Sequence, residues 1–242
     1  MTADVKDNVV LVTGGGRGIG RAIALAFARL GAKVAVTART RQEIDETAQL
    51  VKDLGATALA IQADLTVENQ VRRMVEQTEQ ALGPIDILIA NAGAAMFKPF
   101  LETPVEDFDR LVAINARAVF LCCQAALPGM LRRRRGRIII IASTAGRKGY
   151  VGQSAYCASK HAVMGLAKVL ALETHGQGIR VHVICPGGVD TRLVREGRDD
   201  VDVSKYMSPD EIAEAAVFLA TQSGIAAIDE LNIRRDEATP WA

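Results

Sequence analysis

Short apolar runs and helix-period segments alternate from one end of the chain to the other, a pattern that predicts strands joined by crossover helices in a parallel sheet. Strands are expected near 8–13, 33–38, 57–63, 85–90, 137–142, 180–185 and 230–235. The fifth runs from Arg137 to Ala142 with four consecutive isoleucines, as strands buried on both faces do. Helices are expected near 18–30, 41–54, 67–82, 104–131, 154–175 and 209–222. Two helix starts carry capping chemistry: Thr103 before Pro104 with Glu106 following, and Ser208 before Pro209 with Glu211 in the matching place. The segment 192–207 is charged, includes Asp199, Asp200 and Asp202, and has no clear period. It is expected to be a substrate lid or loop. The fold class that follows is α/β: a single-domain, Rossmann-type, doubly wound parallel sheet over residues 1–242, with about seven strands and helices on both faces.

Composition changes this picture little. A chain of 242 residues that is 49% hydrophobic can bury one large core. Its formal net charge of +1 provides no long-range attraction for nucleic acid or acidic membranes. The basic run Arg132 to Arg135, followed by Arg137, could be a phosphate patch but reads better as a solvated turn between a helix and a strand. No stretch approaches the roughly 20 apolar residues of a membrane span. The polar segment 1–8 carries no secretory signal, so cytoplasmic residence is expected. Cys122, Cys123, Cys157 and Cys185 form no CxxC pair, and His161, His175 and His182 lack metal-ligand spacing. Free thiols and no metal site are expected.

Chemistry enters at the first strand end. Thr13 to Gly20 follow the apolar run Val9 to Val12 and open a helix with Ile23, Phe27 and Leu30 as its apolar positions. Gly14, Gly16 and Gly18, with Arg17 and Ile19 between and after them, would let the backbone approach a pyrophosphate held by N–H groups and the helix dipole. After the second strand, Thr37-Ala38-Arg39-Thr40-Arg41 lacks the acid that would bind a ribose hydroxyl pair. Arg39, assisted by Arg17 and Thr40, suits a 2′-phosphate, so NADP(H) is the expected cofactor; the alternative for Arg39 is an exposed loop charge.

Tyr156 and Lys160 are four residues apart in a helical segment and share one face. Ser143 lies 13 residues before Tyr156, just past the fifth strand, and Asn115 sits in the preceding helix. With the glycine turn, Asp64, Asn91-Ala92-Gly93, Pro186-Gly187 and Thr191, this arrangement resembles the short-chain dehydrogenase/reductase family over nearly the whole chain. The resemblance implies NADP(H)-dependent interconversion of a small carbonyl and its alcohol. Tyr156 would be the acid/base, Ser143 the partner of the carbonyl oxygen, Lys160 the holder of the nicotinamide ribose, and Asn115 the holder of a water linking Lys160 to solvent. A lysine charge about 4 Å from the phenol would be worth roughly 4 kcal/mol, or about three pKa units, bringing Tyr156 near neutrality. Asp64 and Leu65 would flank the adenine, Asn91, Ala92 and Gly93 the adenosine ribose, and Pro186, Gly187, Val189 and Thr191 the nicotinamide amide.

The family's usual glycine-containing ending is missing between Ile228 and Arg235, and the sequence there resembles the NADP-dependent branch acting on 3-hydroxy acids. A pocket is expected from 94–100, 145–150 and 192–207. A homodimer or homotetramer is expected through the helices near 104–131 and 154–175, with Val119, Cys122, Ala126, Val163 and Leu170 read as their exposed apolar faces. The competing reading is a non-catalytic NADP(H)-sensing regulatory module, which has no need for the complete Asn115, Ser143, Tyr156 and Lys160 set.

Overall fold

Alternate residues of each strand enter different cores. Leu11, Ile138 and Ile140 pack with one set of helices, while Val10, Val12, Ile139 and Ile141 pack with the other, as the two-residue strand period requires. The computed structural model describes residues 4–197 and 201–240. Strands β1 (Val9–Thr13), β2 (Lys33–Ala38), β3 (Ala58–Gln62), β4 (Ile85–Ala90), β5 (Gly136–Ile141), β6 (Ile179–Pro186) and β7 (Glu230–Ile233) form one sheet in the order β3-β2-β1-β4-β5-β6-β7. All neighbours are parallel. Helices α1 (Gly18–Arg29), α2 (Arg41–Asp53) and α8 (Pro209–Thr221) cover one face. The other is covered by α3 (Glu68–Leu82), α5 (Ala118–Arg133) and α6 (Ser154–Thr174).

The long helix expected at 104–131 is interrupted. Helix α4 (Val105–Val112) passes into a π-turn, Ala113–Arg117, before α5 begins. The N–H of Ala118 reaches back five residues to the Ala113 carbonyl, inserting one residue into the helical repeat. The expected cap at Thr103 does not form, since Pro104 is the cap residue and the Thr103 hydroxyl donates to Pro99 O at 3.0 Å. At Ser208 the capping box is complete, with reciprocal bonds to Glu211.

Two further expectations need correction. Val119, Cys122, Ala126 and Val163 are buried against the sheet and Leu170 partly so; the large apolar residues that α5 and α6 expose are Phe120, Val169 and Leu172, the last 78% exposed. The run Val105–Arg133 is long and apolar enough to cross a membrane by length and composition, contrary to the sequence reading, but half its most apolar window is buried inside this fold. Segment 192–207 includes a helix, α7 (Arg192–Gly197), and is pinned at its ends by the Val189↔Met207 bridge. Asp199 and Asp200 lie outside the described residues.

The arginine run lies at the turn between α5 and β5, as expected, with Arg132, Arg134 and Arg135 exposed. It sits at the N-terminal edge of the sheet, where Arg133 donates to Ile85 O at 2.5 Å, Arg134 to Gly176 O at 2.8 Å and Arg135 to Asn8 Oδ1 at 2.9 Å. Arg137 donates to the carbonyls of Leu219 and Gln222. These guanidinium groups are thus occupied by acceptors at this end of the sheet.

Candidate active site

The opposite, C-terminal edge of the sheet carries the predicted site. Here the end of β1 is tied to the end of β4. The Thr13 hydroxyl accepts from the N–H groups of Asn91 at 2.9 Å and Ala92 at 3.1 Å, and donates to Ile89 O at 3.2 Å. Asn91 Nδ2 donates to the carbonyls of Thr13 and Gly14 at 2.9 and 3.2 Å. Asn91 therefore braces the glycine turn from below. A Cβ added at Gly20 would lie 2.2 Å from Gly14 O, so only glycine allows α1 to start this close to β1. The cap residue of α1, Arg17, gives no side-chain hydrogen bond to the first turn, leaving its N–H groups open to an anion.

Above this turn lies a cavity of about 240 Å³. Gly14, Gly16, Arg17, Gly18, Ile19, Arg39, Thr40, Leu65, Asn91, Ala92, Gly93, Tyr156, Lys160 and Thr191 all line it, as the sequence predicts for a cofactor cleft. The cleft runs from a cationic end at Arg17 and Arg39 to a Tyr–Lys pair, a shape and charge order that fit a dinucleotide. Asp64 is not among the lining residues: its carboxylate accepts from the N–H and hydroxyl of Thr66 at 2.9 and 2.7 Å. The Thr66 N–H, the largest influence, holds its pKa below the usual carboxylate range.

Glu43, in the first turn of α2, is a site residue that sequence reasoning missed. Its carboxylate pairs with Arg17 at 3.3 Å and with Arg192 at 3.2 Å. An acid therefore does stand beside the expected phosphate position, although not at the end of β2. Arg192 and Leu193 of α7 also line the cavity.

At the inner end, Lys160 is buried and its ammonium donates to Ile141 O at 3.0 Å. It lies 5.9 Å from the Tyr156 ring centroid, but the lowering of the phenol expected from its charge is not found. Burial instead pushes the Tyr156 pKa above its ordinary value, and a hydrogen bond with Ser143 offsets part of the rise. Burial likewise brings Lys160 down to about 8. Tyr156 is consequently a protonated phenol near neutrality, and the more readily exchanging group is Lys160.

The π-turn delivers Asn115 to the same place, fully buried. Its Oδ1 accepts from Ala94 N at 2.8 Å, and its Nδ2 donates to Ala94 O and Ser159 Oγ, each at 2.9 Å. The side chain thus locks the end of β4 to α6. A Cβ on Gly93 would be 3.0 Å from Asn115 Oδ1 and 3.7 Å from Lys160 Nζ, so the three groups converge.

Tyr156 also borders a second cavity of about 330 Å³, together with Ser143 and Gly187. The Ser143 hydroxyl accepts from Ala145 N at 3.1 Å and donates to Pro186 O at 3.5 Å. Pro186 ends β6, Gly187 N donates to Ile233 O at 2.7 Å, and Val189 forms the bridge with Met207. Pro186, Gly187 and Val189 do not line the first cavity; Thr191 does. The expected pocket segments contribute Ala95, Phe97, Lys148, Tyr150 and Tyr206, but the C-terminal residues Arg234 and Arg235 also enter it.

Residues 8–202 match the sequence profile of the family described as short chain dehydrogenase. An uncharacterised oxidoreductase of Bacillus subtilis is 38% identical over 228 residues, covering 94% of this chain and 89% of that protein. Among solved structures, a short-chain type dehydrogenase/reductase from Mycobacterium marinum is 35% identical, with a TM-score of 0.92 and 98% of each chain covered. An alcohol dehydrogenase from Thermococcus sibiricus, complexed with 5-hydroxy-NADP, is 28% identical with a TM-score of 0.88, covering 96% of this chain and 98% of that one.

Proposed function

The chain belongs to the short-chain dehydrogenase/reductase family, and from that premise we propose that it is an NADP(H)-dependent oxidoreductase interconverting a small carbonyl compound and its alcohol, with Tyr156 as the acid/base. The observation that carries this reading is the position of Tyr156, shared by the dinucleotide-shaped cleft and the second cavity. A donor held in one and an acceptor in the other would meet at its hydroxyl.

The bound nicotinamide cofactor would supply or accept the hydride. The chain's own groups manage the proton and the geometry. As reduction places charge on the carbonyl oxygen, the Tyr156 hydroxyl donates its proton there, and the Ser143 hydroxyl hydrogen-bonds the same oxygen. The raised pKa keeps Tyr156 loaded as a donor at neutral pH. Lys160, titrating near 8, can then return a proton to the phenol. The glycine turn and open α1 N-terminus would hold the pyrophosphate, and Lys160 the nicotinamide ribose. Asn115 keeps Gly93, Ala94 and α6 in register around them. A sensing module would have no use for this proton path.

Arg39, Thr40 and Arg17 support NADP(H), since two charge-assisted contacts at roughly 1.5–3 kcal/mol each would favour the phosphate by on the order of a hundredfold. Glu43 favours a second reading, NAD(H), because a carboxylate beside Arg17 and Arg192 could accept ribose hydroxyls and repel a phosphate. Measuring kcat/KM with NADPH and NADH across aldehydes, ketones and 3-oxo acids decides between them. A marked NADPH preference is expected. Equal values or an NADH preference would make Arg39 an ordinary loop charge, and no turnover with either cofactor would refute the oxidoreductase reading.

Two placements accompany this proposal. The four cysteines are unpaired and buried, which suits a reducing cytoplasm. The exposed Phe120, Val169 and Leu172 suit an interface between copies of the chain. Light scattering is expected to give a dimer or tetramer, and a monomer at micromolar concentration contradicts it.

A further inference from the structure

We propose that the second cavity recognises an anionic group on the substrate, so that the carbonyl compound or alcohol turned over beside Tyr156 carries a carboxylate, sulfonate or similar head group bound by Lys148, Arg235 and Arg234. The inference deepens the oxidoreductase reading and rests on it for the reaction, but not for the binding.

Its basis is a charge imbalance within one enclosure. Among the described residues, three cations line the cavity and no carboxylate does. Among the described residues, none of the three has an ion-pair partner. Described acids of neighbouring elements are committed elsewhere. Glu230 pairs with Arg147, Asp190 with Arg195 at 2.6 Å, and Asp107 with Lys98 and Arg110 at 3.1 Å. Asp236 and Glu237 follow in the tail but are exposed and do not line the cavity.

The cations are held in place by groups that leave their charge intact. Arg235 stacks on the Tyr206 ring at 4.6 Å, and the Lys148 ammonium lies 5.2 Å from the Tyr150 ring centroid. Arg234 donates to the carbonyls of Arg235, Asp236 and Ala238 at 3.0, 2.7 and 2.9 Å, all from Nη1. Its remaining nitrogens are free to meet an acceptor. Converging cations positioned without a counter-ion create a field that an anion would satisfy. The shared wall of Ser143 and Tyr156 puts that field beside the reacting carbonyl.

The test uses the full-length protein saturated with the nicotinamide cofactor that it turns over. Acetoacetate and levulinate are each compared with their methyl esters, in wild type and in Lys148→Gln/Arg235→Gln, with Arg235→Lys as the charge-conserving control. The anion is expected to exceed its ester in kcat/KM by about tenfold or more, through charge-assisted contacts the ester lacks. This ratio should fall towards one in the double variant, persist in Arg235→Lys and shrink with added salt in wild type. Calorimetry of propane-1-sulfonate against 1-propanol supplies a readout independent of turnover: only the sulfonate should weaken in the double variant, by about tenfold. If esters are turned over as well as acids in both pairs, the anion site is overturned while the oxidoreductase reading stands. If nothing is turned over but sulfonate binding is lost in the double variant, the site stands and the reaction assignment falls. Should the double variant fail to melt cooperatively, the wild-type ratio and its salt dependence still decide, and a ratio of one overturns the proposal.

Discussion

The two edges of one sheet carry arginines of opposite fates. At the N-terminal edge, Arg133, Arg134 and Arg137 are spent on backbone carbonyls, and Arg135 bonds Asn8 and pairs with Asp86. At the C-terminal edge, Arg39, Arg234 and Arg235 line cavities without a carboxylate partner among the described residues. The local density of positive charge is no guide to the difference, for the run at 132–137 is the densest in the chain. What separates the two sets is where the fold puts them, against the ends of its own elements or on the wall of a cavity.

The sharpest way to break this contrast is to remove a cation from each edge. Lys160→Met at the functional edge should abolish most of the turnover, on the order of a hundredfold or more, because the proton return to Tyr156 is lost. It should also raise stability. Lys160 is only 5% exposed and titrates near 8 against an ordinary 10.5, a shift worth up to roughly 3 kcal/mol, less about 1 for the lost bond to Ile141. The sign follows from proton counts. Between about 8 and 10.5 the unfolded chain binds the proton more tightly, so wild-type stability from this group rises with pH. The gain on substitution should therefore be full below pH 8 and fade as the pH climbs through that window, which denaturant melts at several pH values would trace. A destabilised variant at pH 7 contradicts the burial argument.

At the structural edge, Arg137→Ala should do the reverse. Losing donors to Leu219 and Gln222 should cost about 2 kcal/mol or more, seen as a lower midpoint in urea. Its kcat/KM should stay within about twofold of wild type. A catalytic defect without destabilisation would erase the distinction between the edges.

Glu43→Gln gives the smallest and most diagnostic effect. Releasing Arg17 and Arg192 should tighten NADPH binding by about threefold to tenfold, since an exposed pair and its repulsion of phosphate are worth on the order of 1 kcal/mol. NADH titrated in parallel should be little changed. If NADH weakens instead, Glu43 is a ribose acceptor and the NAD(H) reading gains.

The same contrast marks how far the sequence could be read. Strand positions came through because period-two burial is written in runs such as Ile138 to Ile141, and the Ser208 box because it depends on four adjacent residues. The glycine turn, Tyr156 and Lys160 were legible for the same reason: their geometry is local. Glu43 was hidden because the first turn of α2 carries it back against Gly16, where a Cβ would meet it at 2.8 Å. A search at the strand end does not look there. The π-turn at Ala113–Arg117 has no clear signature in the sequence, being one inserted residue in an apolar helix. The outward face of α5 was misassigned because apolar residues surround that helix almost completely, so periodicity could not tell Phe120 from Val119. Arg234 and Arg235 were read as the end of the seventh strand with no part in the pocket, whereas the chain leaves β7 at Ile233 and carries them to the second cavity.

The central claim is that proton transfer at this edge belongs to Tyr156. Tyr156→Phe removes one hydroxyl from the shared wall of the two cavities and leaves the glycine turn, Lys160 and Asn115 untouched. Steady-state turnover should fall by about 10²–10⁴-fold, while cofactor binding measured by fluorescence titration stays within a few-fold of wild type and the thermal midpoint holds. A variant that folds, binds cofactor and keeps more than about a tenth of the wild-type rate would show that the proton comes from elsewhere.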